Sequence, residues 1–179
     1  NKVWRDMVEE QLLSDARLLQ TCGCPAIAIT CNTAHFFADR IADKIGIPIL
    51  HMIRETAATV ASRCPGGTVG ILATDGTIQT GLYQKALEAR GLTPWTPPAE
   101  IQKEVMHQIY DRVKKGLPCD RESWARIEAA CRAAGCAAVV LACTELSVIK
   151  ADEGLEDWYV DPMETLARKV IETAGKTYR

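Results

Sequence analysis

The sequence predicts an α/β fold: two pseudo-symmetric lobes of parallel sheet flanked by helices, meeting at a cleft. Three observations carry that prediction. Short apolar runs at residues 26–29, 47–50, 69–73 and 137–142 read as buried parallel strands. Amphipathic segments of helical period separate them, which is the order that builds parallel sheets. Finally, one segment occurs twice without a gap. Gly23-Cys-Pro-Ala-Ile-Ala-Ile-Thr-Cys31-Asn-Thr33 aligns with Gly135-Cys-Ala-Ala-Val-Val-Leu-Ala-Cys143-Thr-Glu145, offset by 112 positions at both the Gly and the Cys.

Taken in order, residues 3–20 form a helix with Val3, Met7, Leu12, Ala16 and Leu19 near one face, stopped by Gly23. The strand at 26–29 leads to a helix over 34–44 that ends before Gly46. After the strand at 47–50, a third helix runs through Glu55 and Val60. The turn Cys64-Pro-Gly-Gly67 marks the lobe boundary. Beyond it come the strand at 69–73, a helix over 81–89 closed by Gly91, and a loop at 94–98. Ile101, Val105, Ile109 and Val113 recur every fourth residue and predict an amphipathic helix ending at Gly116. Asp120 caps the next helix, whose Trp124, Ile127, Cys131 and Ala134 share a face. The strand at 137–142 follows, and Asp161-Pro162-Met163-Glu164 opens a C-terminal helix with a cap, a first-turn proline and an acid. Weaker strands are expected near Leu92 and Tyr159.

The first lobe is therefore expected to comprise residues 1–58 with the C-terminal helix 161–179, and the second lobe residues 59–160. The first has two strands where its twin has four. Matching the two requires another strand–helix–strand unit ahead of residue 1, about 30 residues or more.

Composition excludes several classes. Net charge is −2 with acids and bases interleaved, so no basic stripe for nucleic acid exists. The longest apolar run, 137–143, is far too short to span a bilayer. Residues 1–20 are charged throughout, unlike a secretory leader. Eight cysteines without such a leader read as reduced thiols of a cytoplasmic protein. Cys22-x-Cys24 has no second pair to complete a zinc site. Cys22, Cys24, Cys64, Cys119, Cys131 and Cys136 are expected to be small buried hydrophobes.

Cys31 and Cys143 are different. Each falls at the carboxyl end of a strand and just before a helix, where open α/β sheets bind ligands and unpaired amides favour anions. Asn32 and Thr33 after the first, and Thr144 and Glu145 after the second, add donors and acceptors suited to an amino acid's carboxylate and ammonium. A lone cysteine at a strand end is usually packing; two in register, both followed by polar residues, point to chemistry. One as thiolate can remove an α-proton while the other as thiol returns one to the opposite face.

Cys31-Asn-Thr-Ala-His35 and Cys143-Thr-Glu-Leu146 resemble the two signature motifs of the aspartate/glutamate racemase family, nearest its aspartate branch. Residues 49–56, Leu72-Ala-Thr-Asp-Gly-Thr77 leading to Leu82-Tyr83, and Asp161-Pro-Met163 extend the resemblance across nearly the whole chain. It implies the two-lobe fold with its site in the cleft, no pyridoxal phosphate, no metal, and a cytoplasmic homodimer acting on a small amino acid. Cys31 and Cys143 carry over as the acid–base pair, and Asn32, Thr33, Ala34 and Thr144 as substrate contacts. Lys114, in Val113-Lys-Lys-Gly116, takes the place of a lysine that binds the side-chain carboxylate; a solvated helix-end lysine is the equal alternative. Thr74 and Thr77 are weaker carboxylate contacts. His35 either tunes Cys31 or satisfies local hydrogen bonds. His51 stands where the family pattern has Asn, and Ala142 where it often has Gly. In aspartate racemases the region ahead of residue 1 supplies a first strand, a glycine-rich loop and an arginine.

Related scaffolds racemise glutamate or hydantoins, isomerise maleate, or decarboxylate malonates with a single cysteine. A non-catalytic amino-acid-binding protein and a thiol hydrolase are the readings from other classes.

Overall fold

The structure, a computed structural model, describes residues 2–178. Its strands form two parallel sheets. In the smaller, β1 (Ile27–Ala28) pairs with β2 (Ile49–Leu50); the larger runs β4 (Thr93–Trp95), β3 (Thr68–Leu72), β5 (Cys136–Leu141), β6 (Tyr159–Val160). The sequence repeat reappears as register. Ile27 and Ala28 pair with Ile49 and Leu50, and their counterparts Val139 and Val140 pair with Tyr159 and Val160.

Alternation along the central strands divides the main core in two. Val69, Ile71, Ala138 and Val140 face one way, onto Ile53, Ala57 and Val60 of α3 (Met52–Arg63) and Leu87 of α5 (Leu82–Glu88). Leu72, Val139 and Leu141 face the other way. They pack on Val105 of α6 (Ala99–Met106), on Ile127 and Cys131 of α7 (Arg121–Ala133), and on Leu146 of α8 (Thr144–Glu153). Gly70 faces this second side because a Cβ there would approach Val139 Cγ2 to 3.2 Å and Cys136 Sγ to 3.3 Å. Full burial on both faces explains why these strands read as continuous apolar runs.

Both expected caps form. Asp120 Oδ1 accepts from the Ser123 amide (3.1 Å), and Asp161 Oδ1 from the Met163 amide at the head of α9 (Pro162–Thr173) (2.8 Å). Other expectations need correction. The 94–98 segment is not all loop: Pro94 lies in β4, tolerated because that strand is an edge. A six-residue helix, α4 (Asp75–Thr80), precedes α5 where only one helix was expected. The 34–44 helix begins as a 3₁₀ turn (Thr33–Phe37) and becomes α-helical only in α2 (Ala38–Ala42).

The period-four row from Ile101 to Val113 also resolves differently. Four residues advance about 400° on an α-helix, so such a row drifts about 40° per step off a flat core. The chain absorbs that drift by passing from α6 into a π-helical turn (His107–Arg112) and a 3₁₀ turn (Val113–Lys115), closed by Gly116 at φ 71°. Both Val105 and Ile109 stay fully buried as a result.

On α1 (Lys2–Thr21) the expected apolar face is mostly not covered. Val3 and Met7 are 66% and 63% exposed, while Ala16 is buried beside Ile27 and Ile41. Two strands are too narrow to cover a 20-residue helix. Cys22 is likewise exposed rather than buried, whereas Cys131 and Cys136 are buried as expected.

Among the described residues, no helix is long and apolar enough to cross a membrane. Nor do three or more His, Cys, Asp or Glu side chains among them gather where they could hold a metal ion.

Candidate active site

Strand order marks where a candidate site belongs. From β3 the chain winds outward to β4, then crosses back to β5 on β3's other side before reaching β6. The winding reverses between β3 and β5, and ligands bind beyond the carboxyl ends of strands at such a point. Thr74 follows β3 there, and Cys143 follows β5.

Cys143 is 9% exposed and serves as N-cap residue of α8. Its thiol donates to Glu145 Oε2 at 2.9 Å, and the Thr144 hydroxyl donates to the same oxygen at 3.2 Å. Burial pushes the Cys143 thiol up to about 12, and the Glu145 carboxylate adds to the rise; the Glu145 amide and Lys114 pull weakly the other way. Cys143 is therefore a protonated thiol at neutral pH. Burial raises Glu145 too, but its hydrogen bonds and Lys114 outweigh that and hold it below the usual carboxylate range. Lys114 Nζ stands 3.7 Å from Glu145 Oε1 and lies over the Tyr110 ring. The π and 3₁₀ turns thus place Lys114 near the second cysteine through Glu145, while its side chain stays 42% exposed to solvent.

Cys31 is exposed, in the loop between β1 and the 3₁₀ turn. The residues after it are held by side chains of α4 and α5. Asn32, 4% exposed, accepts a hydrogen bond at Oδ1 from the Tyr83 hydroxyl of α5. Thr33 Oγ1 and Thr77 Oγ1 are hydrogen-bonded at 2.7 Å, and Thr74 Oγ1 donates to the same Thr77 hydroxyl at 3.1 Å. Ala34 and Thr33 line, with Cys31, Trp4 and Gly76, a cavity of about 530 Å³. Tyr83 is wholly buried, and burial drives its phenol well above the ordinary value; Thr56 is its other hydrogen-bonding neighbour, while Asp161 and Cys143 are close enough to raise it further. One phenol is therefore bonded to the residue after Cys31 and lies within electrostatic reach of Cys143.

Residue types alone gave no role to Tyr83, and they named Thr77 and His35 without the contacts that hold them here. Tyr83 and Thr77 join segments 51 and 44 positions apart. The signal for Tyr83 was faint: it belongs to a stretch already singled out but carries no obvious chemistry there, whereas Thr77 was expected only as a weaker carboxylate contact. His35, expected either to tune Cys31 or to satisfy local hydrogen bonds, is buried with both ring nitrogens engaged.

Residues 3–170 match the Asp/Glu/Hydantoin racemase family. The chain belongs to that family. It is 33% identical over 86 residues to the broad specificity amino-acid racemase RacX of Bacillus subtilis, covering 48% of this chain and 37% of that protein. It is 28% identical over 178 residues to the glutamate racemase of Corynebacterium diphtheriae, covering 95% of this chain and 65% of that one. The chain thus spans less than two thirds of both relatives. Among solved structures, an aspartate racemase homologue from Pyrococcus horikoshii superposes with a TM-score of 0.81 at 28% identity, over 94% of this chain and 74% of that one. Membership agrees with the paired Cys31 and Cys143 segments, and the α/β fold with parallel sheets is that of the family's structures.

Buried thiols, one at the site and one in the core, also set the response to alkali. Burial raises Cys131, as it does Cys143, from 9.0 to about 12. A thiol whose folded pKa is raised contributes fully below the unfolded value and loses that contribution as pH climbs toward the folded one. Unfolding free energy is expected to drop between pH 8 and pH 10 by about 1 kcal/mol per buried thiol. Urea unfolding at the two pH values measures this, and Cys131→Ala should reduce the drop by one thiol's share.

Proposed function

We propose that the protein is a cofactor-independent racemase that interconverts L- and D-aspartate, and accepts glutamate, by proton transfer between Cys31 and Cys143. The observation that carries this reading is Asn32. Its Nδ2 is buried beside Cys31 with no hydrogen-bond partner, while its Oδ1 is already taken by Tyr83. A buried amide donor without an acceptor costs stability, about 1–3 kcal/mol, and persists where a ligand completes it. A substrate carboxylate is the acceptor that fits, with Thr33, Thr74 and Thr144 as further hydroxyl contacts and the amide of Ala34 in the same turn.

In this reading Cys31, as thiolate, takes the α-proton from one face. Cys143, held as a neutral thiol against Glu145, gives its proton to the other. The reverse reaction exchanges the roles. Lys114 pairs with the substrate's side-chain carboxylate in competition with Glu145, which selects acidic amino acids.

The test is proton NMR of aspartate in D₂O with the full-length protein and no added cofactor. Loss of the α-proton signal from both enantiomers is expected; no exchange with aspartate or glutamate from a folded sample would contradict the proposal. Lys114→Ala should raise KM for aspartate about tenfold or more, the worth of a charge-assisted hydrogen bond of roughly 1.5–3 kcal/mol. One observation favours a wider substrate range. The cavity beside Cys31 is lined largely by apolar groups, among them Val8, Phe36 and Phe37, so neutral amino acids belong in the same assay.

A further inference from the structure

His35 lies one turn past Cys31, is 2% exposed, and has both ring nitrogens committed. Its Nδ1 is 2.9 Å from the carbonyl oxygen of Cys31. Its Nε2 accepts from the backbone amide of Met52, at the head of α3, at 3.1 Å. A backbone amide can only donate, so Nε2 carries no proton, and the proton on Nδ1 points at the Cys31 carbonyl. The ring is neutral and fixed in one tautomer. It bridges two chain segments that share no strand pairing at these residues: the loop holding Cys31 and the start of the helix following β2.

Its surroundings keep it so. The His51 ring packs edge-on at 4.7 Å, itself the cap of α3 through Nδ1 and the Arg54 amide. Burial lowers the His35 pKa most, with Arg54 lowering it further, while the hydrogen bond to Cys31 and the Asp39 carboxylate oppose the fall. Burial pulls His51 down to about 4, helped by His35 and Arg54 and opposed by Asp39. Arg54 and Asp39 are ion-paired at 2.7 Å, so their effects partly cancel. A proton added at Nε2 would face the Met52 N–H, two donors with no acceptor between them.

We propose that His35 is a positioning residue for Cys31: a neutral strap from the Cys31 carbonyl to the Met52 amide that fixes the backbone from which the thiol and the amides after it project. His35 touches no substrate and transfers no proton. Its contribution is geometric, since displacing a catalytic group by about 1 Å can cost as much as roughly a hundredfold in rate. The inference rests on the reading of Cys31 as an acid–base group, and the experiment keeps the two separable.

A carboxamide carries an N–H donor group and an oxygen acceptor joined through one carbon, as the neutral imidazole's two nitrogens are, whereas an alkyl chain carries neither. His35→Leu and His35→Gln are therefore compared with wild type in the full-length protein, after circular dichroism establishes that each is folded. In racemisation, H35L is expected to lose roughly tenfold or more in kcat with KM within about threefold, and H35Q to recover most of the loss. The midpoints of the kcat/KM pH profile should be the same in wild type and H35Q. Unchanged kcat in H35L, or a midpoint that vanishes in H35Q, overturns the proposal; the latter would make His35 an acid–base group.

Independently of any turnover, the rate of Cys31 alkylation by iodoacetamide, read by peptide mass spectrometry, reports the thiol's placement. It is expected to change at least about threefold in H35L and to return toward wild type in H35Q. If wild type does not racemise but this alkylation pattern appears, the racemase reading fails and the strap stands. Equal alkylation in all three proteins sinks the strap itself. Should H35L not fold, H35N, which can reach only the nearer Cys31 carbonyl, takes its place with the same expected losses.

Discussion

Cys31→Ser and Cys143→Ser are each expected to abolish racemisation of aspartate, with a loss of about 10²–10⁴-fold or more from removing one general acid–base group. A serine hydroxyl is a far weaker acid than a thiol, so it neither ionises to take the α-proton nor gives one up at neutral pH. The two variants should not be identical. Cys143 rests as a buried thiol donating to Glu145, so its loss leaves Cys31 able to remove a proton but no group to complete inversion. Residual solvent exchange should then survive for one enantiomer only. The enantiomer should switch between the two variants, because each thiol serves one face of the α-carbon. Chiral chromatography measures racemisation and NMR in D₂O measures exchange. Full racemisation by either variant would leave a single-thiol mechanism standing.

Tyr83→Phe is expected to lower both stability and turnover. The phenol ring is wholly buried in the core shared by β3, β5 and α3, and phenylalanine fills nearly the same space, so packing changes little. What is lost is the hydroxyl. Asn32 Oδ1 then joins Nδ2 as a buried atom without a partner, and the tie between the Cys31 loop and α5 is gone. The cost is about 1–3 kcal/mol of unfolding free energy, measured by urea titration. Because Asn32 follows Cys31 directly, kcat should fall along with stability. Thr77→Val tests the neighbouring tie, from Thr77 to Thr33, by the same two measurements. A Tyr83→Phe protein with wild-type stability and activity would show that Asn32 is held by other means.

Much of the architecture was legible because it is written locally. The buried strands at β3 and β5, the Asp120 and Asp161 caps and the stop at Gly116 each depend on residues within a turn of one another. The correspondence between the Cys31 and Cys143 segments was legible for another reason: a similar segment occurs twice, and the sheets keep the repeat in register at Ile27 and Val139. Short or irregular elements were not. α4 has only six residues, too few to show a period, and β4 carries Pro94, which ordinarily argues against a strand. The row from Ile101 to Val113 showed its spacing plainly, yet whether a drift of that size is met by bending or by a π turn depends on the core it packs against.

Chain order and side-chain chemistry thus suffice for the fold class, the repeat, and the two thiols at the strand ends. Folding alone decides what those thiols feel. Cys31 and Cys143 follow the same local pattern of a Gly-Cys, an apolar run and a strand-end cysteine, but one is exposed and the other buried against a carboxylate, because desolvation depends on what other segments pack nearby. In the same way, Tyr83, Thr77 and His35 gain their roles from contacts across 51, 44 and 17 positions, and a hydrogen bond over such a separation exists only once the sheets have brought its ends together.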